Sequence, residues 1–166
     1  MNDKWVTRIV NFTKNLPWKI RRPIYEQIGL ISCGGGYDIR KGVVFDHAKA
    51  VSFGKNIMIN QNVQFHIGET KDAHICIDDN VFIGMNTCFL CVSHSIGEPN
   101  KRAAKNIYSD IHVGKGSWIG ANVTVLPGVS IGNGCIVAAG SVVISDCDAN
   151  CLYAGNPAKK KRCLEE

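Results

Sequence analysis

No run of about 18 apolar residues occurs in this chain, which excludes a membrane-spanning helix as its organising element. The opening MNDKWVTRIVNF also lacks the continuous apolar stretch of a secretory signal, so a cytoplasmic location is expected. Proline is scarce, at five residues, whereas glycine reaches 17, so many positions call for tight turns or small side chains. Missing from the eight cysteines is a complete metal site. Cys88-x-x-Cys91 has a zinc-like spacing, but no second Cys/His pair stands at a matching distance, so no metal is expected. In a reducing compartment these cysteines are mostly free thiols. The net charge of +5 is modest, and the basic residues gather at two ends. One group runs through Lys4, Arg8, Lys14, Lys19, Arg21 and Arg22, the other through Lys159, Lys160, Lys161 and Arg162. Such clusters can meet nucleic acid, lipid headgroups or a phosphorylated cofactor.

What the chain does have is a six-residue period. From Val113 it reads VGKGSW, IGANVT, VLPGVS, IGNGCI, VAAGSV, VISDCD. An aliphatic residue opens each hexad, and a small or β-branched residue takes the fifth place. The same frame runs upstream through Phe53, Ile59, Ile77 and Ile83, with weaker hexads at Lys41, His47 and Phe89. Interruptions near residues 68–74 and 95–112 replace hexads without shifting the grid. An α-helix recurs near 3.6 residues and cannot carry this pattern, whereas a short strand plus a turn can. The expected fold is an all-β solenoid, a parallel β-helix of three hexads per coil, shaped as a triangular prism with stacked aliphatic openers. Second-place Gly and fourth-place Gly or Asn ease the corners.

Residues 1–34 lie outside the grid and form a separate N-terminal helical cap. Trp5, Ile9, Phe12 and Leu16 recur at helical spacing, Pro17 and Pro23 act as breaks, and a second short helix is expected from Tyr25 to Leu30. This segment covers the open end of the solenoid, or its basic amphipathic face makes peripheral membrane contact. Residues 35–158 form the β-helix, with an irregular excursion loop at 95–112, and residues 159–166 form a basic tail.

The hexads resemble the bacterial hexapeptide-repeat acyltransferases. Three segments narrow the resemblance to the galactoside and maltose O-acetyltransferase branch: Val92-Ser93-His94 before the loop, Ile111 to Asn122 after it, and the tail Ala154-Gly155-Asn156-Pro157-Ala158-Lys159. The leader is similar to those of sugar-modifying relatives in polysaccharide biosynthesis. The resemblance implies a left-handed helix, a homotrimer with active sites between subunits, acetyl-CoA as co-substrate, and no nucleic-acid partner. It implies acetyl transfer to a hydroxyl of a sugar or glycan precursor. The alternatives are N-acetylation of an amino sugar or xenobiotic, and an inactive β-helix that serves as an interaction module.

By the same resemblance His94 is the general base. A neutral imidazole can take the proton of a hydroxyl as it attacks a thioester. Asn86 falls beside base and acceptor, and its amide can both donate and accept. His66 and Tyr108 are further acceptor-side candidates. For the cofactor, Trp118, Gly120 and Ala121 match the path of the pantetheine arm, with the Ala121 amide on the thioester oxygen. Ala139, Gly140 and Ser141 permit close approach. Lys159 and Arg162 match residues that meet the adenosine 3′-phosphate.

Overall fold

Two-residue strands join the sixth place of one hexad to the first place of the next. The computed structural model describes residues 2–31, 35–69 and 72–165. Sheet 1 holds β1 (Asp38–Ile39), β4 (Met58–Ile59), β7 (Phe82–Ile83), β12 (Trp118–Ile119), β15 (Ile136–Val137), β17 (Cys151–Ala154) and β18 (Lys159–Cys163), in that order. Sheet 2 holds β2 (Val44–Phe45), β5 (Gln64–His66), β8 (Cys88–Leu90), β13 (Thr124–Val125) and β16 (Val142–Val143). Sheet 3 holds β3 (Val51–Phe53), β6 (Ile75–Ile77), β11 (Ile111–Val113) and β14 (Ser130–Ile131). Apart from the β17–β18 pair, all neighbours in these sheets are parallel. The chain visits the three sheets in fixed rotation. Trp118 pairs with Ile136 one regular coil later, while Phe82 pairs with Trp118 two hexad-triplets later. Whole hexads are thus replaced, which is why the register survives each interruption.

First and fifth places point inward together. Ile59, Ile83, Val113, Ile119, Val125, Ile131 and Val137 are fully buried, as are Val63, Val123 and Cys135. Polar fifth-place residues are buried because their hydroxyls find carbonyls: Thr87 donates to Gly120 (2.9 Å) and Ser117 to Gly132 (2.8 Å). Phe45, Phe65 and Phe89 stack along sheet 2, with centroids 4.9 and 5.2 Å apart. The two special places of the hexad have different causes. Fourth-place residues such as Asn86 (φ 58°), Asn122 (φ 55°) and Gly116 (φ 72°) take the left-handed turn. Second-place glycines instead leave room for the next coil. A Cβ on Gly84 would lie 2.5 Å from the Ala121 nitrogen.

The cap differs in detail from its expected form. Helix α1 (Asp3–Thr13) buries Val6, Val10 and Thr13, leaving Trp5 and Phe12 exposed. Edge backbone of the first coil fixes this rotation. Asp3 and Thr7 accept from the N–H groups of Lys49 and Ala48, while Asn11 exchanges two hydrogen bonds with Phe45. These i, i+4, i+8 polar residues lie on one helix face, so the apolar residues beside them are the ones buried. Helix α2 is Trp18–Gln27, earlier than expected, with Pro23 inside it rather than ending it. Its Arg21 is buried, donating to the carbonyls of Ile39 (2.6 Å) and Arg40 (3.1 Å) beneath Trp18 and Tyr25. Both helices therefore cap exposed strand edges. No described helix is long and apolar enough to cross a membrane.

The excursion at 95–112 is ordered rather than irregular. Strand β9 (Val92–Ile96) pairs antiparallel with β10 (Ala103–Tyr108), and the chain re-enters sheet 3 at Ile111. The basic tail is likewise a strand, β18, set antiparallel on β17.

Candidate active site

Outward-facing sixth places give each sheet its own chemistry. Sheet 3 shows Ser52, Cys76, His112 and Ser130, whereas sheet 1 shows Met58, Phe82, Trp118, Ile136 and Leu152. A groove of about 620 Å³ runs along sheet 1, lined by Trp118, Gly120, Ala121 and Ala139 among the expected residues. Trp118 is 53% exposed and meets Phe82 edge to face at 6.4 Å. Asn60, Phe82, Met85, Ile136 and Leu152 also line the groove and were not expected. For Phe82, Ile136 and Leu152 the signal is in the sequence: apolar residues at every third sixth-place position mark one outward face that should have been polar.

Small residues shape the groove floor. Gly84 and Gly120 have coil backbone where a side chain would stand. The amides of Gly120 and Asn122 donate to the carbonyls of Val137 and Met85, both at 2.8 Å. Among the described residues the Ala121 N–H between them has no partner, so it remains a donor at the groove edge. Gly140 turns the next corner with φ 72°, outside the groove lining. Ser141 is buried, and its hydroxyl donates to Ala138 (2.7 Å) and accepts from the Gly155 N–H (3.1 Å). Its small size matters here, not a free hydroxyl.

Strand β18 extends the same sheet, with Arg162 opposite the groove-lining Leu152 and Lys159 opposite Ala154. Both are exposed and make no ion pair among the described residues.

His94 lies elsewhere. It sits on β9 opposite Asn106, on the hairpin between sheets 2 and 3, exposed and without a hydrogen-bond partner among the described residues. His66 lies below that hairpin, paired with Leu90, with Nε2 2.9 Å from Gln64 and Nδ1 3.8 Å from Asp46. Tyr108 closes the hairpin opposite Val92 and accepts a hydrogen bond from Asn106 at 3.0 Å. Asn86 belongs to the corner between sheets 1 and 2, in a ladder of side-chain amides. Asn62 donates to it and it donates to Asn122, both at 3.2 Å. One N–H and one oxygen lone pair of Asn86 remain for a ligand. A single chain thus gathers the cofactor candidates on sheet 1 and places His66, His94 and Tyr108 together at a different corner. His112, a weaker candidate by sequence, pairs with Asp78 at 3.0 Å on sheet 3. No cluster of three or more metal-ligating side chains occurs among the described residues.

Residues 110–145 match the model of the bacterial transferase hexapeptide, six repeats. A Saccharomyces cerevisiae protein carrying a provisional acetyltransferase name is 33% identical over 143 residues, which is 86% of this chain and 70% of that protein. The chain belongs to the bacterial hexapeptide-repeat transferase family. Galactoside O-acetyltransferase of Escherichia coli is 32% identical over 110 residues, 65% of this chain and 54% of its own length. A hexapeptide-repeat acetyltransferase of Vibrio cholerae, complexed with acetyl-coenzyme A, superposes with a TM-score of 0.84 at 29% identity. The match covers 99% of this chain and 87% of that one. A maltose O-acetyltransferase of Clostridium difficile gives 0.81 at 28% identity, covering 98% and 84%.

Proposed function

We propose that this hexapeptide-repeat transferase moves an acetyl group from acetyl-CoA to a hydroxyl of a sugar or glycan precursor. It does so in the cytoplasm, as a homotrimer of left-handed β-helices. One observation carries the reading: an apolar groove floored by glycine and alanine runs toward Lys159 and Arg162 on the same sheet, two cations without an ion pair among the described residues. That combination suits a thin pantetheine arm ending in a phosphorylated nucleotide. The acetyl-CoA and CoA complexes of structural neighbours support the same ligand.

Acetyl-CoA, when bound, supplies an activated thioester. Trp118 and the small residues Gly120 and Ala139 hold the arm, and Lys159 and Arg162 neutralise its 3′-phosphate. The free Ala121 N–H donates to the thioester oxygen as negative charge develops there. His94 takes the proton from the acceptor hydroxyl as its oxygen attacks the acetyl carbon; the carbon–sulfur bond then breaks, and the His94 imidazolium returns the proton to the departing CoA thiolate. Asn86, through its spare donor and acceptor, and His66 with Tyr108 orient that acceptor.

Because the hairpin of His94 and the groove lie on different corners of one chain, the two halves meet only between subunits. The protruding hairpin supplies His94 to a neighbour's groove. The test incubates the protein with labelled acetyl-CoA and a panel of hydroxylated and amino sugars, reading product mass. His94→Ala should cut turnover by about 10²–10⁴-fold with the trimer and cofactor binding intact. Acetylated amines without esters would reassign the acceptor, and no product from any acceptor would point to an interaction module. A fully active monomer by light scattering would sink the shared site.

A further inference from the structure

Strand β18 is the last of sheet 1, with β17 as its one strand neighbour among the described residues, and all five of its residues are exposed. Within that hairpin Cys151 stands directly opposite Cys163. The Leu164 N–H donates to the Asn150 carbonyl at 2.7 Å, one residue outward on each strand. That bond makes Cys151–Cys163 a non-hydrogen-bonded antiparallel pair. Pairs of this kind bring opposing Cα atoms to about 4.5 Å, with side chains close together on one face. A disulfide spans Cα separations of about 4.4–6.8 Å, so no backbone movement is required. The two Sγ atoms already stand 3.5 Å apart.

We propose that Cys151 and Cys163 are a modification site, forming a reversible cross-strand disulfide that clasps β18 onto the end of the fold.

Access separates this pair from the others. Cys135 and Cys147 also touch, but both are buried, whereas Cys163 is exposed. Burial, reinforced by the neighbouring Cys163, pushes the Cys151 thiol up. Lys160 lies against both sulfurs while its Nζ donates to Asp148 at 3.0 Å. Asp148 first, then the two cysteines, hold that ammonium above the usual lysine value, so a cation stays beside the thiols at all ordinary pH.

Hydrogen peroxide is the oxidant. The Cys163 sulfur attacks the peroxide oxygen, becoming a sulfenic acid as the O–O bond breaks and water leaves. The Cys151 sulfur then attacks the sulfenic sulfur, the S–O bond breaks, and a second water leaves with the Cys151 proton. Two thiols lose two electrons and two protons, and the hydrogen peroxide takes up both to become two waters. A small-molecule disulfide reaches the same product by exchange, releasing two thiols. In a reducing compartment such a bond is transient, the usual state of redox-responsive cysteines there. Disulfide formation requires no step of the acetyl-transfer chemistry, although the clasped strand also carries Lys159 and Arg162.

The test treats the whole protein with hydrogen peroxide or oxidised glutathione, then blocks free thiols and reads intact and tryptic masses. The expected product has lost two hydrogens per chain and contains a linked Cys151–Cys163 peptide, which dithiothreitol reverses. Amide exchange across residues 159–163 should slow on oxidation and recover on reduction. Cys163→Ser, at an exposed position, should fold normally and lose the linked peptide. Three results would overturn the proposal: a glutathione adduct or sulfinic acid on Cys163 with Cys151 still free, a Cys163 link between two chains, or faster exchange across β18.

Discussion

Replacing Gly120 with Ala tests the coil stacking and the groove together. The added Cβ would lie 2.5 Å from the Ala139 nitrogen, 2.8 Å from the Val137 oxygen and 2.9 Å from the Ala138 carbonyl carbon. All three are backbone atoms of the next coil, so no side chain can swing aside. Strands β12 and β15 must separate locally, weakening the bond from the Gly120 N–H to the Val137 carbonyl, now 2.8 Å. Overpacking of this kind costs about 1–3 kcal/mol, and a weakened hydrogen bond adds about 1 kcal/mol. For a chain of this length the melting midpoint should fall by about 5–15 °C. Gly116→Ala is the control. Its Cβ meets nothing within 4 Å, so its φ of 72° is the only penalty, about 1–2 kcal/mol. Calorimetry should rank Gly120→Ala below Gly116→Ala, and only Gly120→Ala should raise KM for acetyl-CoA. A Gly120→Ala protein as stable as Gly116→Ala, with wild-type KM, would refute the close-approach argument.

Lys159→Ala with Arg162→Ala should raise KM for acetyl-CoA about tenfold or more, since a charge-assisted contact is worth about 1.5–3 kcal/mol, with the melting midpoint unchanged. Equal losses toward dephospho-CoA would show that these residues do not read the 3′-phosphate. Asn86→Gly keeps the φ of 58° at no steric cost, so it should be more stable than Asn86→Ala by about 1–2 kcal/mol in urea unfolding. Turnover should fall in both variants, and activity that merely follows stability would leave Asn86 as a corner residue alone. Burial first, then Asp110 and Asp46, push the Cys91 thiol from 9.0 up to about 12. The unfolded chain therefore loses this proton first. The stabilisation from neutral Cys91 is complete below pH 9 and disappears as pH rises toward 12. Unfolding curves of Cys91→Ala should show a shallower alkaline decline than the parent over that window, and parallel declines would count against the assignment.

The period of six was legible because burial leaves a mark at each rung. Openers such as Ile83, Ile119 and Val137 must be apolar, and Asn or Gly must take the left-handed corner, so local chemistry repeats wherever the coil repeats. The same logic located the turns at Asn86 and Asn122, whereas the second-place glycines Gly84 and Gly120, expected at corners, are there because the next coil's backbone leaves no room for a Cβ. It also set the two interruptions, because replaced hexads leave the inward residues in phase. The apolar outward stripe of Phe82, Trp118, Ile136 and Leu152 was present too, but one rung in three must be compared to see it. Other features depended on partners far away in the chain. Helix α1 turned Val6 and Val10 inward because Asp3, Thr7 and Asn11 answer the unpaired edge of the first coil, which α1 itself does not encode. The excursion became a hairpin because residues 92–96 and 103–108 satisfy one another's backbone groups outside the coil. The separation of His94 from the groove followed from which corner that hairpin leaves. A repeating sequence specifies the rung, whereas the distribution of non-repeating residues among three faces is decided only when the coils stack.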